Sequence, residues 1–112
     1  MNAQNTENGG LKLSNQGSTI MPKPEREKVV LALLDEIGEP LPPKLVYRIL
    51  RVRGATFGRR SVMRYCSELA ERGQLVRIDP DGMDDGELRV ADDPGKRAYY
   101  MITDAGRARV DN

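Results

Sequence analysis

The chain has 112 residues, room for one small domain and little else, with 38% hydrophobic and 31% charged residues. It contains no histidine and one cysteine, Cys66, which removes the commonest general base and metal ligand along with any disulfide or cysteine-based metal site, so neither an enzyme nor a cofactor is expected. The net charge of +1 hides a segregation: Lys44 to Arg64 holds seven basic residues and no acid, whereas Arg77 to Asp93 holds seven acids against two arginines.

Residues 1–21 are rich in Asn, Gln, Gly, Ser and Thr and lack apolar periodicity, the pattern of a disordered tail, which leaves 22–112 as the domain. No apolar run approaches membrane-spanning length and no basic-then-apolar leader opens the chain, so a cytoplasmic protein without a membrane partner is expected. From Pro24, Val30, Leu33, Leu34 and Ile37 follow helical spacing, with Glu25, Glu27, Asp35 and Glu36 on other faces. Gly38 is placed to cap this helix, and Pro40 to Pro43 prevents its continuation. A second helix starts near Pro42–Pro43, with Leu45, Val46, Ile49 and Leu50 as its apolar stripe and Arg48, Arg51 and Arg53 opposite. Gly54 ends it, and Phe57 is expected to plug the gap before the next helix.

The third helix runs from about Arg59 to Arg72, with Val62, Cys66 and Leu69 on one face and Tyr65 beside them. After Gly73 the period changes from helical to alternating. Leu75, Val76 and Ile78 suggest a strand, 80–86 and 92–95 read as turns, and Leu88 to Val90 reads as a brief extended stretch. Ala98 to Ile102 is the returning strand, and Thr103 or Asp104 caps a short final helix. The predicted class is therefore α+β: three helices, a two-stranded hairpin and a short C-terminal helix.

Two consecutive helices joined by a tight turn suggest a helix-turn-helix, whose second helix enters the major groove of duplex DNA. With Val62, Cys66 and Leu69 fixing the core side, Arg60, Ser61, Arg64 and Ser67 are left pointing outward, with Arg59 at the helix start. An arginine fork can donate two hydrogen bonds to guanine or pair with a phosphate. Lys44, Arg48 and Arg51 on the preceding helix suit phosphate contacts. Only Arg64 among these cations has a glutamate four residues along, Glu68. Lys96 and Arg97, at the base of the returning strand, suit a further backbone contact, with Arg77 as a secondary candidate.

The stretch RRSVMRYCSELAERGQLVRID, Arg59 to Asp79, resembles the recognition helix and first wing strand of winged helix-turn-helix regulators. The closing AYYMITDAGRARV is similar to the ending shared by MarR-like and PadR-like repressors. LPPKLVYRILRVRGATFGRRSVMR is similar to small winged-helix proteins of halophilic archaea and their viruses, some of which are repressors. The likeness covers roughly residues 24–110 and implies a sequence-specific double-stranded-DNA-binding transcriptional regulator, a repressor in the commoner form, with helix 59–72 in the major groove. Two departures stand out. The hairpin tip, Asp79 to Glu87, is acidic where such wings are commonly basic. The segment after Thr103 is also shorter than the long helices through which those families dimerise, leaving open a homodimer formed through the first helix or the tail. The alternative reading is a winged-helix protein-interaction module whose acidic hairpin, 79–93, docks a protein partner.

Overall fold

Prolines set where the first two helices begin in the computed structural model, which describes residues 21–91 and 97–111. Helix α1, Lys23–Ile37, has Pro24 in its first turn, and the Pro22 carbonyl accepts from the Glu25 and Arg26 amides at 3.0 and 3.1 Å. It ends at Gly38, where φ is 74° and the amide donates to the Leu34 carbonyl at 2.9 Å. Helix α2, Pro43–Val52, begins on its own proline. Helix α3, Arg59–Glu71, is entered from Gly58 and buries Val62, Tyr65, Cys66 and Leu69. Between α2 and α3, Phe57 is buried and meets the Tyr65 ring edge-on at 6.1 Å between centroids.

Strands β1, Leu75–Ile78, and β2, Tyr99–Ile102, pair antiparallel, from Leu75 opposite Ile102 to Ile78 opposite Tyr99. Leu41 exchanges two hydrogen bonds with Tyr100, at 2.9 and 2.8 Å, on the far edge of β2. This bridge pins the start of α2 beside the base of β2. On the other edge of β1 the extended stretch at 88–90 pairs through Ile78 and Val90, with the Asp79 amide donating to the Arg89 carbonyl at 2.7 Å. The segment 80–86, expected as a turn, contains one helical turn, α4, Pro80–Met83. Its cause is local: the Asp79 carboxylate accepts from the Asp81 amide at 3.0 Å, and Pro80 presets a helical φ. Helix α5, Asp104–Asp111, closes the order, so the described fold is α+β with five helices and a two-stranded antiparallel hairpin.

The core joins α1, α2, α3 and the sheet through Val30, Leu31, Leu34, Val46, Val62 and Leu69, all inaccessible to solvent. Glu27, expected on an outer face of α1, is instead buried in that interior. The reason is spacing: residues 27, 30, 31 and 34 fall on one side of a helix. Its carboxylate takes Arg72 at 3.0 and 3.3 Å and Arg109 at 2.9 Å, joining α1 to the end of α3 and to α5. Burial alone would raise this carboxyl, but the hydrogen bonds and charges of the two arginines outweigh it and hold it below its ordinary range.

Candidate nucleic-acid interface

Helix α2 turns Lys44, Arg48 and Arg51 outward at positions i, i+4 and i+7, while Val46 and Leu50 face the core. Helix α3 does the same with Arg60 and Arg64 against Val62, Cys66 and Leu69, and its first residue, Arg59, is also exposed. None of these six cations lies within ion-pair distance of a described carboxylate. Two are steadied by aromatic rings instead: the Arg51 guanidinium sits 5.9 Å from the Tyr47 centroid and that of Arg64 sits 5.7 Å from Tyr65.

Arg53, the seventh base of the acid-free stretch, behaves differently. It donates to both Glu36 oxygens, at 2.9 and 2.8 Å, and these bonds and the arginine charge hold the Glu36 carboxyl below its ordinary range. The acid comes from α1, so the absence of acids between Lys44 and Arg64 did not leave Arg53 unpaired. Arg77 is also engaged internally, donating to the Ser67 hydroxyl at 3.2 Å and lying 5.9 Å from the Tyr100 centroid.

The remaining site expectations divide cleanly. Ser61 is half-buried near the start of α3, and half-buried Ser67 is occupied as the acceptor for Arg77. Arg97 is exposed, and the Leu41–Tyr100 bridge brings its strand base against the start of α2. Lys96 lies outside the described residues, as does the expected tail apart from Met21.

Lys44, Arg48, Arg59 and Arg97 line one groove of about 480 Å³. Its floor is apolar: Leu45, expected in the core stripe of α2, is 37% exposed here, and Met63 of α3 is 50% exposed. Tyr99 completes it, the outward member of a tyrosine pair whose other ring, Tyr100, is buried. Met63 was not singled out in the sequence, although it stands four residues after Arg59 on the same helix side.

Cys66 is fully buried on the core side of α3, and burial pushes its thiol up to about 12. Among the described residues, no helix is long and apolar enough to cross a membrane. The elements and surface thus define a small α+β domain with a cationic face built on α2 and α3. No protein-family model matches the chain, and no curated protein matches it either.

Proposed function

We propose that this protein is a sequence-specific double-stranded-DNA-binding regulator of winged helix-turn-helix architecture, with α3 as the recognition helix in the major groove. The observation that carries the reading is the set of six outward cations on α2 and α3 without a described carboxylate partner, in a chain whose total charge is only +1. Five other arginines, Arg53, Arg72, Arg89, Arg107 and Arg109, do meet carboxylates, whereas Arg26 and Arg77 turn to the Tyr65 and Ser67 hydroxyls. Leaving one face uncompensated favours a polyanion as its partner.

Within this reading Arg60 and Arg64 face base edges from the first turns of α3, while Lys44, Arg48 and Arg59 hold phosphates that fix register. Arg97 adds a contact from the base of the hairpin. The acidic segment 79–87 stays away from the duplex, and steric occlusion of a promoter makes the regulator a repressor.

Fluorescence anisotropy with duplex DNA at two salt concentrations tests the proposal. Each phosphate neutralised steepens the dependence of log K on log salt by about 0.9, so Lys44→Ala is expected to weaken all sequences alike and flatten that slope by about one. Arg60→Ala with Arg64→Ala is expected to cost about 1–3 kcal/mol per lost bidentate base contact and to relax sequence preference. Absence of binding at low salt, or indifference to the double substitution, overturns the reading.

A further inference from the structure

The two edges of the sheet differ in what they can accept. Beyond β2 the sheet ends on Leu41, which is followed by Pro42 and Pro43, residues with no amide to donate. Beyond β1 it ends on the extended stretch at 88–90, which contains no proline. There the Arg89 carbonyl and the Ala91 amide both turn inward, to the Asp79 amide at 2.7 Å and the Arg77 carbonyl at 2.9 Å. In an antiparallel ladder the residue between them turns its own amide and carbonyl the other way. That residue is Val90, and among the described residues nothing meets either group, nor the backbone of Leu88.

The two faces of this stretch differ as well. Leu88 and Val90, two residues apart and therefore on one face, are 58% and 63% exposed. Arg89 takes the other face and lies on α4, where a Cβ added at Gly82 would stand 3.2 Å from the Arg89 Cγ. The acids of α4 thus flank the edge. Arg89 meets Asp85 and Glu87, but exposed Asp81 and Asp84 lie within ion-pair distance of no described cation. An unpaired edge beside two bare apolar side chains is a template for a further strand. A second copy of this chain brings the same acids against these, so charge opposes self-pairing and favours a basic strand.

We propose that the 88–91 edge is a docking site for an extended, lysine- or arginine-rich segment of a partner protein, added to the sheet as its next strand. The partner backbone pairs with Leu88 and Val90, its apolar side chains cover theirs, and its alternate, basic side chains reach the acids of α4. The site does not use the cations of α2 and α3 and does not rest on the DNA-binding reading.

The test uses the full chain and a short fluorescein-labelled peptide alternating lysine and valine, followed by anisotropy and by amide shifts in nitrogen-15 NMR. One saturating site is expected, with the largest shifts at Leu88, Val90 and Ala91 and slower hydrogen exchange at the Val90 amide. The same peptide N-methylated at every internal amide keeps its charge and loses its donors, and is expected to bind at least about tenfold more weakly. Asp81→Asn with Asp84→Asn, both at exposed positions, is expected to weaken the unmethylated peptide about threefold at low salt. An alternating glutamate–valine peptide is expected not to bind. Equal binding of the methylated peptide leaves only charge attraction and overturns the inference. So do equal binding of the glutamate peptide, an unchanged affinity in the double variant, or shifts centred away from 88–91. Concentration-dependent shifts at 88–91 without any peptide assign the edge to a second copy and overturn it equally.

Discussion

At the scale of single residues, small groups in tight places carry more of the architecture than the charged surface does. Gly106 sits where α5 crosses the loop before β1, and a methyl added there would overlap the Gln74 carbonyl oxygen and crowd the Ile102 side chain. Backbone cannot yield as a flexible side chain does, so Gly106→Ala is expected to destabilise by about 1–3 kcal/mol, read as a lower midpoint in urea unfolding. Thr103 braces the same junction, accepting from the Gly106 amide at 3.2 Å and donating to the Gly73 carbonyl at 2.6 Å. Cys66 makes a second prediction at this scale. Enclosed by the core, with its thiol pushed up to about 12, it carries almost no thiolate at neutral pH. A thiol reagent should therefore modify it only at the rate at which the domain opens, and denaturant should speed labelling in step with unfolding.

At the scale of elements, the packing of α1 against α3 and α5 turns on one acid. Glu27 is 3% exposed at its side chain, and Arg72 and Arg109 close on it from two other helices. Glu27→Gln keeps the shape but removes the charge, and is expected to cost about 2 kcal/mol, or a melting temperature lower by about 10 °C for a domain of this size. The pH dependence has a definite sign. The folded carboxyl titrates below its ordinary 4.5, so its stabilisation is fully present above the unfolded value and disappears as pH falls through the folded one. Acid unfolding of the parent should show this loss below pH 4.5, whereas Glu27→Gln should lack that component. Measuring melting temperature from pH 7 down to pH 3 checks both. Glu27 was expected on an outer face, although its spacing from 30, 31 and 34 puts it on their side of the helix. The arginines of this clamp were not legible, because they arrive from positions 45 and 82 residues away.

At the scale of the whole molecule, opposite signs of charge are concentrated on different elements. The cations of α2 and α3 stand on one face, while Asp81, Asp84 and Glu87 lie exposed along the connection after β1. Arg89 compensates this segment only partly, through Glu87 at 2.8 Å and Asp85 at 3.8 Å. Under the DNA-binding reading this segment repels the duplex across solvent, an effect reaching about 10 Å at 0.1 M salt. Replacing Asp81, Asp84 and Asp85 by asparagine is therefore expected to tighten duplex binding about threefold at low salt, with the gain lost above about 0.3 M. Anisotropy titrations at both salts decide it; an unchanged affinity at low salt would show that the acidic segment plays no part in DNA affinity.

The linear order of residues determined α1, α2, α3, α5 and the two strands, though not the single turn of α4, because these depend on short-range physics. Apolar spacing set which side of α3 is buried, proline set the start of α2, and glycine marked the ends of α1 and α3. It also determined which residues carry the positive charge. Tertiary structure alone decided which charges remain available: Glu36 reached across from α1 to occupy Arg53, and Ser67 and Tyr100 engaged Arg77. It likewise turned Leu45 from the expected core stripe to a groove floor, because the Leu41–Tyr100 bridge set α2 beside β2 and gathered Arg97 with Lys44, Arg48 and Arg59. Helical and strand periods are local properties of a few neighbouring residues, whereas ion pairs and grooves depend on where distant segments come to rest.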